Sequence, residues 1–425
     1  MCFIKPETLF DMKHLKLFFL FLAVVKFSAF AQDTQNFLSV SGRIIDHENR
    51  RGLSFVSIRL DGTNIATVSN AAGDFLLKIP IEHANSSISL SHLGFQTQQI
   101  PIHSFGDARK IIRMIPSSIE LAEVEILRGD ATDFIREVFR AVPRNFPQRS
   151  YQMVGFYRET IRKNNNFISV TEAVLDIYKS PYRGLNNDQA RIYKARRGAD
   201  IRRNDTILIR FQGGVDAALR LDVVRNLEDI FFEDFANYYS FYFEGRTVIN
   251  NRPQQIVVFD QRRGIPYPLF RGRIYVDMQS KAISQIEFNM NVEGNARATD
   301  LFVQRRPPGM RIEITEAAYL IQYTEHNGLW YYEYSRATLA FRVRWQRRLF
   351  SSSYIIQSEM AITDRTDEGV SRFSRSERLR PNAVIAERAV DFEDEDFWGA
   401  YNIIQPEQSL ENAIRQLTRQ LRRRE

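Results

Sequence analysis

Ile286-Glu287-Phe288-Asn289-Met290-Asn291-Val292-Glu293 alternates apolar and polar side chains without a fault. Side chains along a strand point to opposite faces in turn, so this run makes a strand with one buried and one wet face, as in an antiparallel sheet. The pattern recurs on both sides of it. Leu339, Phe341, Val343 and Trp345 fall on one face, with Arg342, Arg344 and Gln346 opposite. Tyr319, Ile321 and Tyr323 are placed to pair with Trp330, Tyr332 and Tyr334 across the turn Glu325-His326-Asn327-Gly328. Long strands of this kind extend from Tyr151 to about Ile362, with a helix predicted over Asp216 to Asp229, and residues 151–385 read as one antiparallel β domain.

Upstream, the strands shorten and turn signals crowd in. Val40 to Asp46 is a strand ended by His47-Glu48-Asn49-Arg50. Phe55 to Leu60 runs into Asp61-Gly62, a strong turn dipeptide, and Phe75 to Ile79 follows Asn70-Ala71-Ala72-Gly73-Asp74. Ile88 to Ser91 and Lys110 to Ile115 complete six or seven strands over residues 37–115, the density of a β-sandwich.

The order Val40-x-Gly42-x-Ile44-x-Asp46, then Leu53-Ser54-Phe55-Val56-x-Ile58, then Ser69-Asn70-x-x-Gly73-Asp74-Phe75-x-Leu77-x-Ile79-Pro80, then Leu93-Gly94-Phe95 resembles the carboxypeptidase regulatory-like domain. That resemblance implies a transthyretin-like β-sandwich of a kind abundant in Bacteroidetes envelope proteins. Ser69-Asn70 stands where the family usually has Thr-Asp, and the usual Pro near residue 52 is missing. Asn serves the same turn chemistry. Gly155 to Glu159, Glu172 to Leu175, Tyr238 to Phe241, Gly272 to Asp277 and Asp396 to Asn402 are similar to the long region that follows this sandwich in such proteins. The resemblance implies location and architecture, not a reaction. Strands with intervening helix also resemble, at the level of fold alone, the half-open β-barrel of periplasmic lipoprotein carriers.

Residues 116–150 read as a connector. Leu121 to Ile126 is a short strand, and Thr132 to Val142 a helix with Phe134, Ile135, Val138 and Ala141 on one face and Pro143 ending it. Residues 386–425 hold an acidic cluster (Asp391, Glu393, Asp394, Glu395, Asp396) and a helix from Ser409 to Arg422 with Ile414, Leu417 and Leu421 as its apolar stripe.

Residues 1–31 have the form of a signal peptide. Lys13, His14 and Lys16 precede the apolar run Leu17 to Val25, and Ala29-Phe30-Ala31 gives the small-x-small cleavage pattern, with Gln32 as the expected mature N-terminus. The run is shorter than the ~20 residues of a membrane helix, and no later stretch is long and apolar enough to be one. The lone cysteine, Cys2, lies ahead of that core, so the mature chain offers no disulfide, zinc thiolate or cysteine nucleophile, nor the cleavage-site cysteine of a lipoprotein. The expected location is therefore the periplasm or the outer-membrane surface.

The 58 basic residues comprise 48 Arg and only 10 Lys, and the formal charge is +7. Arg grips phosphate and carboxylate bidentately. Arg342, Arg344, Arg347 and Arg348 with Trp345 form the densest such group and are the candidate anion or partner surface, although solvated strand faces are the plainer reading. An exported protein has no nucleic acid to meet, so an envelope protein, glycan or anionic lipid is the expected partner.

Catalytic patterns fail one by one. A zinc carboxypeptidase needs His-x-x-Glu, and none of His47, His83, His92, His103 or His326 has Glu three residues on. Gly-x-Ser-x-Gly and phosphate-binding glycine loops are missing. Glu228/Asp229 and Glu233/Asp234 sit among Phe231, Phe232 and Phe235, as a helix edge would. The expectation is a mainly β, non-enzymatic envelope protein, without metal, cofactor or catalytic residues, that binds its partner through its β domains. A periplasmic lipid or lipoprotein carrier, or a hydrolase with an unrecognised site, are the alternatives.

Overall fold

The computed structural model describes residues 36–106, 109–117, 129–184, 186–199, 214–231, 234–293, 297–303, 308–346, 350–380, 383, 385, 389–391 and 397–422. The expected signal peptide, the strand Leu121 to Ile126, and Glu393 to Asp396 lie outside the described residues, as does Arg423-Arg424.

The N-terminal unit is a sandwich of two sheets. β1 (Phe37–Asp46) lies between β4 (Asp74–Pro80) and β7 (Lys110–Met114); β2 (Ser57–Leu60) and β5 (Ser87–Ser91) are flanked by β3 (Ala66–Val68) and β6 (Gln98–Pro101). Every second residue points inward, so Val40, Ile44, Ile58, Leu60, Phe75, Leu77, Ile88 and Leu90 form one buried core. The Asn70 turn works as the sequence suggests. Its Oδ1 accepts the Ala72 and Asp74 N–H groups at 2.9 Å each, and Gly73 has φ +84° with no room for a Cβ, which would come within 2.2 Å of the Ile44 carbonyl oxygen.

The second unit is one open sheet. Its order is β11 (Tyr239–Ile249), β12 (Arg252–Gln261), β13 (Phe270–Asp277), β14 (Ile283–Met290), β15 (Met310–His326), β16 (Leu329–Trp345), β17 (Ser352–Thr366), β8 (Tyr151–Lys163), β9 (Asn166–Lys179), β10 (Gln189–Ala199) and the two-residue β18 (Val390–Asp391). All pairs are antiparallel except β10 with β18, and the sheet does not close into a barrel.

Both faces are covered. On the first face α1 (Ala131–Asn145), α2 (Val215–Arg220) and α3 (Phe235–Tyr238) cover a large core in which Phe134, Phe139, Phe231 and Phe235 meet Phe243 and Tyr239. α4 (Arg297–Phe302) closes the far end of that face over Ile312, Phe341 and Tyr354. On the second face lie the sandwich and residues 397–404, and α5 (Gln408–Arg422) sets Leu410, Ile414 and Leu417 on Val170 and Phe167.

Three local expectations need correction. Pro143 does not end α1, which runs on to Asn145. Proline costs a helix the bond its N–H would donate, and so close to the C-terminus only one is lost; the Phe146 N–H still reaches the Val142 carbonyl at 3.0 Å. The helix expected over Asp216 to Asp229 is split. α2 stops at Arg220, turns follow, and only Leu227–Asp229 is helical again, as a single 3₁₀ turn. In the β15–β16 hairpin the tight turn is at Asn327-Gly328, both with positive φ; Tyr323 pairs with Tyr332, but Ile321 and Tyr319 pair with Ser335 and Ala337, outside the expected aromatic set. Tyr334, however, pairs with Gln322, because Glu333 is an extra residue in the ladder. Such a bulge sets two neighbouring side chains against one. Glu333 and Tyr334 both turn to the second face, towards the sandwich.

A candidate anion face and a braced interface

Arg342 and Arg344 stand exposed on the second face near the end of β16, as alternation requires, while Trp345 turns to the first face and packs on the cluster of Met310, Ile312 and Phe341. Arg342 Nη1 is 3.3 Å from Glu313 Oε2 on β15. Arg344 has Arg311 as its direct cross-strand partner, and both are exposed. Like charges directly opposite on a strand pair repel, so this end of the sheet holds two guanidinium groups side by side. Phe350, two residues before β17, is 85% exposed. Arg347 and Arg348 lie outside the described residues. Of the expected group, the structure therefore sets Arg342 and Arg344 together, adds Arg311, and separates Trp345 from them.

The sandwich meets the sheet through a polar seam. Arg59 Nη2 donates to Glu333 Oε1 at 2.7 Å and to Thr324 Oγ1 at 2.9 Å, and Ser57 Oγ donates to the same Glu333 oxygen at 2.7 Å. Phe55 lies 5.3 Å from the Tyr334 ring in a stacked arrangement, with the Arg336 guanidinium 4.9 Å from its own ring. Phe55 has φ +60°. A bulky side chain in that region is strained by ~1–3 kcal/mol and is held there by its surroundings; the Phe55 N–H bond to the Ser69 carbonyl at 3.0 Å and the stacked ring do so here. Further along, the Gly94 N–H donates to the Val248 carbonyl and the Thr97 N–H to Asn251 Oδ1, both at 2.9 Å.

Between these contacts is a space of about 20 Å³ lined by Ser57, His92, Gln285, Gln322 and Glu333, the size of one water. Burial pushes the His92 imidazole down to about 4. Its neutral form is the one that fits, so the stability it contributes is complete above pH ~6.5 and is lost as pH falls towards 4. His92 as a whole is only partly buried, which discounts the full shift to about 2 kcal/mol. Melting curves of the wild type and His92→Gln between pH 7 and 4.5 are expected to diverge by about that amount, the variant losing less on acidification. Parallel curves would refute the assignment.

Two buried charge clusters escaped the sequence reading. On the second face Arg158 Nε and Nη2 both reach Glu172 Oε1 at 2.7 Å, and Arg196 Nη2 lies 2.8 Å from Glu172 Oε2. Burial would raise the Glu172 carboxyl, but the two guanidinium groups outweigh it and hold the pKa below the ordinary glutamate value. On the first face Lys179, at the end of β9, is wholly buried between Asp188 (2.5 Å) and Asp222 (2.7 Å). Burial works against its charge, and the two carboxylates hold its pKa above the ordinary lysine value. Tyr323 Oη donates to Asp222 Oδ1 at 2.9 Å, and the Tyr182 and Tyr332 rings lie 5.4 and 5.8 Å from the ammonium. One lysine among ten, in a run that reads as strand end and loop, gives no sequence signal for this.

Among the described residues no three His, Cys, Asp or Glu side chains gather as a metal site would need, and no helix is long and apolar enough to cross a membrane.

No curated protein sequence matches this chain. Among solved structures, a DUF1329 family protein from Desulfovibrio piger is similar over 58% of this chain and 99% of its own, at 13% identity and a TM-score of 0.21. Residues 40–126 match the family model described as CarboxypepD_reg-like domain. With its two sheets, its Asn70–Gly73 turn and its inward Phe75, the N-terminal unit is a carboxypeptidase regulatory-like domain.

Proposed function

We infer that the protein is an exported, non-enzymatic component of a cell envelope that holds an anionic lipid surface against the far end of its large sheet. The observation that carries this reading is the Arg311–Arg344 pair, two exposed guanidinium groups directly opposite one another, with Arg342 beside them and the exposed Phe350 just ahead of β17. A repulsive pair is relieved when an anion bridges it, and an exposed aromatic ring close in sequence to basic side chains suits the boundary between headgroups and acyl chains. The regulatory-like domain then acts as a brace on the opposite part of the same face, fixed through Phe55, Arg59 and Gly94. A lipid carrier would use an apolar cavity, whereas the first face of the sheet is packed with α1, Phe231 and Phe235.

Each basic residue near an anionic bilayer contributes about 1 kcal/mol. The mature protein is expected to float with phosphatidylglycerol vesicles at low salt and not with phosphatidylcholine vesicles. Arg311→Gln/Arg344→Gln is expected to bind about 30-fold more weakly. Equal flotation of the double variant, or none by the wild type, would overturn the reading; retention on an immobilised anionic glycan but not on vesicles would replace lipid by glycan.

A further inference from the structure

The Lys179 cluster is built differently from an ordinary buried ion pair. Lys179 and Asp222 are both 0% exposed and Asp188 is 9% exposed. Lys179 Nζ donates an aligned hydrogen bond to Asp188 Oδ2 at 2.5 Å. Its approach to Asp222 is close, at 2.7 Å, but unaligned: Asp222 Oδ2 has no hydrogen-bond partner in spite of that contact. The other oxygen of the same carboxyl, Oδ1, is held by the Tyr323 hydroxyl at 2.9 Å and, more weakly, by the Arg225 N–H at 3.3 Å. One carboxylate is thus placed to take a proton from the amine. The other is held so that negative charge on Oδ1 is stabilised while Oδ2 stays free to leave.

We propose that Lys179 and Asp222 condense spontaneously to an isopeptide bond, with Asp188 as the proton shuttle. The ammonium gives a proton to Asp188, and the neutral amine attacks Cγ of Asp222. Negative charge gathers on Oδ1, where the Tyr323 hydroxyl receives it. Oδ2 departs as water, taking one proton from Asp188 and one from the attacking nitrogen. An ammonium and a carboxylate become a neutral amide and one water, with no oxidant, reductant or added group. The fold supplies both driving terms. Fixed contact at 2.7 Å gives the pair a very high effective concentration, and the condensation removes two opposite charges from a site where keeping them desolvated is costly. The aromatic wall of Tyr182, Tyr323 and Tyr332 keeps bulk water from reversing it. The product ties the end of β9 to the chain beyond α2 and pins the covering layer of the first face to the sheet.

The test is the mass of the protein itself. Denaturing mass spectrometry of the purified mature chain is expected to give one water less than the sequence requires. Tryptic digestion is expected to yield residues 221–225 joined to residues 164–183, with no cleavage after Lys179. Lys179→Ala and Asp222→Ala are expected to show full mass, and Asp188→Asn, which keeps both bonding partners but removes the shuttle, is expected to remain largely unlinked when its circular dichroism is native. A wild-type chain of full mass with the two peptides separate overturns the proposal, as does a missing water that maps to any other pair. Because the wild type is measured, a variant that fails to fold does not spare it.

Discussion

Glu172→Ala is expected to destabilise the protein by about 4 kcal/mol and to lower its melting temperature by roughly 10 °C. The glutamate is fully buried between Arg158 and Arg196, and truncating it leaves two desolvated guanidinium groups facing each other. Removing one partner of a buried pair typically costs ~3–5 kcal/mol, whereas replacing a whole buried cluster by apolar side chains is often near neutral. Arg158→Met/Glu172→Leu/Arg196→Met should therefore be less destabilised than Glu172→Ala alone, although it carries three changes. The reverse ranking in a denaturant titration would show that the attraction itself, and not the cost of an orphaned charge, dominates. The acid limb follows from the depressed pKa. The contribution of Glu172 is complete above the ordinary glutamate range and is lost as pH falls through its lower folded value.

The triad is the most buried part of a longer row. Arg273, Glu287, Leu320, Arg336, Glu359, Arg158, Glu172 and Arg196 occupy successive strands in direct register on one face, alternating in sign except at Leu320. A slip of one residue between any two strands would send the charges of one strand to the opposite face, among Leu175, Met360 and Ile274. The row thus penalises every wrong register at once. In an open sheet this wide, that discrimination matters more than the modest net stability of any pair.

That row also marks the limit of what the sequence discloses. Alternation within Ile286 to Glu293 or Leu339 to Trp345 is local, and so is the Asn70 turn, and each is legible residue by residue. Membership of the row joins residues 158, 172, 196 and 359, whose adjacency exists only once strand order is known. The bulge at Glu333 is hidden for a related reason. Trp330, Tyr332 and Tyr334 read as unbroken alternation, and only the pairing with β15 reveals the extra residue that turns Glu333 and Tyr334 together towards the sandwich. The Arg342 and Arg344 face was legible because strand periodicity places it; Arg311, its cross-strand complement, required the register.

Trp398→Ala is expected to cost about 3–5 kcal/mol, the usual range for removing a buried tryptophan, and to loosen the sandwich as well as the tail. The indole is almost wholly buried, edge-on to Phe156 at 5.6 Å, with the Arg196 guanidinium 5.0 Å from its ring. It anchors a segment that touches both units. Beyond it the Asn402 side chain accepts the Lys78 N–H at 2.7 Å and donates to the Lys78 carbonyl at 3.0 Å, filling the open edge of β4 much as a neighbouring strand would. The Ile403 carbonyl accepts from Thr67 Oγ1 of the sandwich at 3.0 Å, while the Ile404 carbonyl accepts from Arg158 of the sheet at 2.6 Å. Residues 397–404 therefore clasp the sandwich to the sheet, and the indole is what holds the clasp down. In Trp398→Ala, limited proteolysis is expected to cut within this segment under conditions where the wild type resists. Trp398→Phe, which keeps an aromatic edge against Phe156, should recover most of the stability. If the alanine variant melts within about 1 kcal/mol of the wild type and its tail stays protected, the hydrogen bonds of Asn402, Ile403 and Ile404 carry the clasp without the ring.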